Sequence, residues 1–279
     1  MSDLLLSVDQ LAARTDIRLF DSRHDLADPE KGPAAFARGH IPGALHAHID
    51  RDLSGTPNGQ NGRHPLPDRD AFTRWLGSRG VRPEDHVVVY DEDSGAFAAR
   101  LWWLLRWVGH RRVSLLDGGL AAWEAAGHPL ETGTREFPAN DYRPAAPLEA
   151  IVSIVDVEAN IDDPHFLVVD ARAAGRYAGE GETIDPVGGH IPGARNRHFA
   201  RNLNAQGLFK SPAELRAEFL ALADGFAPEA IVHQCGSGVT ACHNLFAMEL
   251  AGLSGARLYP GSWSEWCSDP ARPMAIGAG

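Results

Sequence analysis

Three things are scarce in this 279-residue chain, and each scarcity removes a class of function. Cysteine is the first: only Cys235, Cys242 and Cys267 occur. They form neither a paired framework nor a CxxC spacing, which excludes a disulfide scaffold and a structural zinc and fits a reducing compartment. Long apolar runs are missing as well, none approaching the roughly 18 residues that span a bilayer. The start, Met1-Ser2-Asp3-Leu4, lacks the basic flank and cleavage site of a signal peptide, so the expected location is the cytoplasm and no membrane partner is expected. Basic blocks are the third absence. With a net charge of −11 and no Lys/Arg-rich segment, the chain is unsuited to nucleic acid or an anionic membrane, and a small-molecule substrate is expected.

What is present is duplicated. Phe20-Asp21-Ser22-Arg23 recurs as Val169-Asp170-Ala171-Arg172, and Gly39-His40-Ile41-Pro42-Gly43-Ala44 recurs as Gly189-His190-Ile191-Pro192-Gly193-Ala194. Val87 to Asp91 lines up with Ile231 to Cys235, and Leu116 through Trp123 with Tyr259 through Trp266. Matches in the same order along the chain imply two copies of one fold. In the first copy, 18–21, 87–90 and 113–116 read as short buried strands, and 70–79 and 96–108 as helices. In the second, 166–170, 231–233 and 256–259 read as strands, and 212–223 and 241–251 as helices. Short apolar strands separated by helical runs predict an α/β fold, each copy a mainly parallel sheet flanked by helices on both faces. The polar segment 131–147, carrying Pro138, Pro144 and Pro147, reads as the connection. The expected organisation is a non-catalytic domain over 1–138, a linker over 139–150 and a catalytic domain over 151–279.

The chemistry concentrates in Cys235-Gly236-Ser237-Gly238-Val239-Thr240. A cysteine at the end of a parallel strand, followed by two glycines and a helix start, faces backbone N–H groups and the positive end of a helix dipole, an environment that favours the thiolate nucleophile. Ligands of parallel α/β sheets bind outside the carboxyl ends of the strands, where Cys235 falls. The matching residue of the first copy is Asp91, which has no nucleophilic sulfur. Cys242, two helical turns on, is expected in the core, and Cys267 is expected to be exposed and oxidisable. His40, His190, Arg23 and Arg172 occur in both copies and are expected to hold the fold. A phosphatase needs an arginine closing the loop as C-x5-R, and that position is Ala241.

The paired GHIPGA motifs, the DSR and DAR strand ends, the CGSGVT loop and the closing Gly261-Ser262-Trp263-Ser264-Glu265-Trp266 together resemble the tandem-domain rhodanese-like sulfurtransferases, across essentially the whole chain. The resemblance implies two tandem rhodanese-like domains, no metal and no organic cofactor. It implies transfer of a sulfane sulfur from 3-mercaptopyruvate or thiosulfate, through a Cys235 persulfide, to cyanide, a small thiol or a reduced protein thiol. It further implies that Gly236, Gly238, Val239 and Thr240 bind substrate with Arg176, and that Ser237, His64 and Asp50 form a polar relay. A second substrate arginine is usual shortly before the second GHIPG. Residues 181–188 contain none, so the sequence leaves both donors open. The chain is expected to be a monomer. The rival reading is a persulfide carrier or regulatory module acting only with a docked protein.

Overall fold

The computed structural model describes residues 4–278. The chain divides into two compact units that are not contiguous in sequence. The first comprises residues up to Gly55, Leu66–Leu148 and Ala205–Phe209; the second comprises Thr56–Pro65, Glu149–Asn204 and the residues from Lys210 onward.

Among the described residues, the first unit holds five strands, β1 (Leu5–Leu6), β2 (Ile17–Asp21), β3 (Ala44–His46), β4 (His86–Tyr90) and β5 (Val113–Leu116), in the order β1-β5-β4-β2-β3. The second holds β6 (Leu167–Asp170), β7 (Arg195–Asn196), β8 (Ile231–Gln234) and β9 (Arg257–Leu258), in the order β7-β6-β8-β9. Every pairing is parallel. The apolar strands lack alternation because both faces are covered: β4 and β8 are buried at every position. β1 has a reduced counterpart in the second unit, a single parallel bridge from Ile151 to Leu258.

The helices follow from caps and burial. Ser211 and Glu214 close a capping box, and Pro212 begins the helix Pro212–Ala223 at the position where its missing N–H costs nothing. The helix Ala241–Leu250 is apolar almost all round because it is buried from Ala241 through Met248. Three short strands escape sequence reading: β1, β3 and β7 are two or three residues long and carry no run to detect.

The connecting segment is anchored rather than loose. Asn140 N–H donates to Gly77, Ala145 N–H to Val108 and Leu148 N–H to Arg106, all within the first unit. The repeated residues do hold the fold. Arg23 pairs with Asp21 and donates to the Gly39 carbonyl, and Arg172 does the same with Asp170 and Gly189. His40 stacks on Phe36 and His190 on Tyr177, each at 3.8 Å between ring centroids. Cys242 is core, as expected. Cys267 is not exposed: it follows the helix Ser262–Trp266 and packs into the second unit's core beside Trp263 and Trp266, and burial pushes its thiol up to about 11.

Candidate active site

Cys235 follows β8, which lies between β6 and β9, so the sulfur stands at the carboxyl end of an interior strand. The residue is 2% exposed. Its backbone is fixed on both sides: the amide donates to Ser262 Oγ at 3.1 Å and the carbonyl accepts from Trp263 N–H at 3.0 Å. Ser262 has φ +56°, a left-handed conformation that costs a non-glycine residue about 1 kcal/mol, and this conformation carries its hydroxyl to the Cys235 amide.

The loop then turns at Gly238, φ +77°, where a Cβ would lie 2.3 Å from the Pro260 carbonyl oxygen. Only glycine satisfies both the dihedral and the contact. The helix begins at Ala241, with Thr240 as its N-cap. Among the described residues, the amides of Thr240 and Ala241 donate to no protein acceptor, so two N–H groups remain at the loop's helix end. Val239 is buried and its carbonyl accepts from Cys242 N–H.

Ser237 and His64 come together: Oγ and Nδ1 are 2.7 Å apart, both residues buried. His64 reaches Ser237 because Thr56–Pro65 belongs to the second unit. Asp50 belongs to the first unit, where its carboxylate lies 3.9 Å from both His24 Nε2 and His48 Nδ1. Those three residues are also the one group, among the described residues, with the spacing to hold a metal ion. His48 is poorly disposed for that. Its Nδ1 accepts from the amides of Asp50 and Arg51, and its Nε2 donates to the Pro29 carbonyl.

Arg176 sits in the short helix Ala174–Ala178 and lies next to Gly236. Its Nε donates to Glu182 at 2.8 Å and its Nη2 to Asp185 at 2.9 Å. Glu182 organises the following turn, its other oxygen accepting the amides of Thr183, Ile184 and Asp185. Burial opposes ionisation of Glu182, but the Arg176 bond and those amides outweigh it and hold its carboxyl below the usual range. Burial pushes Asp185 up despite the guanidiniums of Arg63 and Arg176. Arg63, Glu182 and Asp185 are the residues that sequence reasoning missed. Arg63 adjoins His64, and Asp185 lies within the segment searched for an arginine, but a carboxylate there gives no sign that it recruits a cation from over a hundred residues away.

A rhodanese-like domain model matches residues 6–126 and again 153–269. Over 278 residues the chain is 47% identical to a probable 3-mercaptopyruvate sulfurtransferase of Pseudomonas aeruginosa, covering 98% of each. It is 34% identical over 257 residues to the thiosulfate sulfurtransferase of Bos taurus, covering 90% of this chain and 84% of the relative. Among solved structures, a 3-mercaptopyruvate sulfotransferase of Escherichia coli is similar with a TM-score of 0.81 and 32% identity, over 94% of this chain and 99% of that one. Among the described residues, no helix is long and apolar enough to cross a membrane.

Proposed function

We propose a route for sulfur transfer through Cys235 from one premise: this chain belongs to the rhodanese-like family, with two such domains, and is a sulfurtransferase. The donor is 3-mercaptopyruvate. The Cys235 thiolate attacks the donor sulfur, and the C–S bond breaks with its electron pair passing to C3 of the leaving pyruvate. The resulting enolate takes a proton to become pyruvate, and Cys235 is left as the persulfide. In the second half, cyanide, a small thiol or a reduced protein thiol attacks the outer sulfur, and the S–S bond breaks to return the Cys235 thiolate.

The observation that carries this reading is a buried cysteine heading a loop whose helix-start amides, Thr240 and Ala241, remain available to an anion. They suit the charge that resides on the persulfide. Ser237 and His64 form the proton path to the enolate, a role their 2.7 Å contact supports. A neutral Gly-Ser pair after the cysteine suits a monocarboxylate held by Arg176 better than a dianion bound at the sulfur itself. The bovine relative keeps thiosulfate as the donor to compare.

Steady-state turnover with cyanide as acceptor and no protein partner tests the proposal. The expected result is a higher kcat/KM for 3-mercaptopyruvate than for thiosulfate, with parallel initial-rate lines. Turnover only in the presence of a docked protein would favour the carrier reading instead.

A further inference from the structure

Beyond the carboxyl ends of the first unit's strands lies a cavity of about 650 Å³, and every residue of its wall belongs to that unit. It stands in the first copy where the Cys235 loop stands in the second. Its wall includes Arg23 and Asp91, just past β2 and β4, whose counterparts are Arg172 and Cys235; both are buried. All three cysteines belong to the second unit, so the space is kept here without the sulfur. A volume of this size suits a small molecule.

Two features of the wall select a ligand that carries both charges. The deeper one is Arg23, whose side chain is 7% exposed. Its Nε and Nη2 are used on Asp21 and the Gly39 carbonyl, whereas Nη1 makes no hydrogen bond among the described residues; the nearest carboxylate, Glu92, is 3.7 Å away, and its side chain is 65% exposed. A buried guanidinium N–H left without an acceptor on a cavity wall is matched by an acceptor on a ligand. The outer feature is acidic. Glu92, Asp93 and Glu124 are exposed, and among the described residues Asp93 and Glu124 enter no ion pair. The other acids of the wall are occupied: Asp91 accepts three amides of its own turn, and Asp25 pairs with Lys31 at 2.6 Å. Where the second copy has neutral Gly236 and Ser237 after its nucleophile, the first has Glu92 and Asp93, so this opening attracts a cation. Phe97, Leu120 and Leu130 give the same cavity an apolar side.

We infer that this cavity binds a free α-amino acid with an apolar side chain: its carboxylate accepts from Arg23 Nη1, its ammonium pairs with Glu92 and Asp93, and its side chain rests against Phe97, Leu120 and Leu130. An α-amino acid carries its two charges one carbon apart, and Arg23 Nη1 and Glu92 present the complementary pair side by side. Either charge alone fits worse. An anion without an ammonium meets the carboxylates of the opening, and a cation without a carboxylate leaves Arg23 Nη1 unmatched. No step of sulfur transfer passes through this ligand, so the inference stands apart from the choice of donor.

Isothermal titration calorimetry of the full chain with L-leucine, 3-methylbutylamine and 4-methylpentanoate separates the two charges on one carbon skeleton. Leucine is expected to bind with a Kd of about 1 mM or tighter, and the amine and the acid each at least about 10-fold more weakly. Arg23 is left intact, because it also holds the fold; the amine reports on its contact instead. Glu92→Gln combined with Asp93→Asn raises the leucine Kd about 10- to 100-fold, and because both side chains are exposed the fold is not at risk. Arg176→Gln, in the second unit, leaves the leucine Kd unchanged. No binding of leucine at about 10 mM, equal affinity for leucine and either one-charge analogue, or an unchanged leucine Kd in the double variant overturns the assignment. So does a leucine Kd that rises in Arg176→Gln, which would put the amino acid beside Cys235 and not in this cavity.

Discussion

The loop after β4 and the loop after β8 are the same device in two states of use. In the first unit, the Asp91 carboxylate accepts the amides of Gly95, Phe97 and Ala98 at 2.8, 2.8 and 3.2 Å. In the second, Cys235 stands where Asp91 does, and the amides of Thr240 and Ala241, which correspond to Phe97 and Ala98 counting from the helix start, are unspent among the described residues. The surrounding frame is shared: Leu120 N–H donates to the Asp91 carbonyl as Trp263 N–H does to Cys235, and Ala121 N–H to Glu92 as Ser264 N–H does to Gly236. Gly119 has φ +58° and its counterpart Ser262 φ +56°. The second unit thus accepts a strained serine in exchange for a hydroxyl on the Cys235 amide. The comparison teaches that the amides of this turn can gather an anion, as they do for the Asp91 carboxylate. In one copy a built-in carboxylate takes the amides of the turn; in the other, among the described residues, the helix-start amides are left open.

The largest expected effect removes that difference. Cys235→Ser lowers sulfur transfer about 10⁴-fold, the scale of a lost nucleophile. Asp91→Cys placed in that background restores none of it, because the Ser237–His64 pair and Arg176 belong to the second unit; measurable rescue of cyanide-dependent turnover would break the comparison. Next comes the turn itself. Gly238→Ala meets both the Pro260 carbonyl at 2.3 Å and a positive φ, and is expected to cost about 2 to 4 kcal/mol of stability and about 100-fold in kcat. Gly95→Ala has the same φ but its nearest neighbour is at 3.5 Å, so only the dihedral strain of about 1 kcal/mol applies and activity stays. Equal effects in urea melts would show that the Pro260 contact does not distinguish the two turns.

Smaller is the proton path: Ser237→Ala and His64→Ala each lower kcat with 3-mercaptopyruvate about 10- to 100-fold, and the double variant loses no more than the worse single. Full additivity would mean that the two do not act as one unit.

Much of this was legible in the residues. The duplication gave two α/β units, and Cys235 was singled out by the glycines and the helix start that follow it. Ser237 and His64 were paired through the family resemblance, and the structure places them in hydrogen-bond contact. Arg63 was not legible, because its partner Asp185 is a carboxylate at the place where a cation was sought, and a carboxylate's need for a cation has no direction along a sequence. Nor was the crossing of Thr56–Pro65 into the second unit, which no hydrophobic period marks: its residues are polar, glycine and proline. The burial of Cys267 was missed because a single small thiol near a chain end carries no pattern; Trp266, beside it, was the available signal.

The smallest expected effect is on stability against pH, and both units contribute. Burial holds His46 and His110 below the usual histidine range in the first unit and His198 in the second, and burial followed by the Arg197 charge takes His233 to about 3. These bases are neutral when folded and gain protons when unfolded. Their stabilisation is therefore present above the unfolded value of 6.5 and is lost as pH falls from there toward the folded value. At pH 5.5 His233 alone accounts for a loss of roughly 1 kcal/mol. Urea midpoints at pH 7.5 and 5.5 check this, and His233→Gln should flatten the dependence; an unchanged slope in that variant would assign the acid sensitivity elsewhere.

The central claim is that Cys235 carries the sulfur between the two half-reactions. Intact mass of the protein after 3-mercaptopyruvate treatment without acceptor tests it most directly. The account predicts a species one sulfur atom heavier, with the addition mapped to Cys235, discharged by cyanide and absent in Cys235→Ser. A wild-type protein that turns over fully yet never gains that sulfur, or gains it at Cys242 or Cys267, would contradict it.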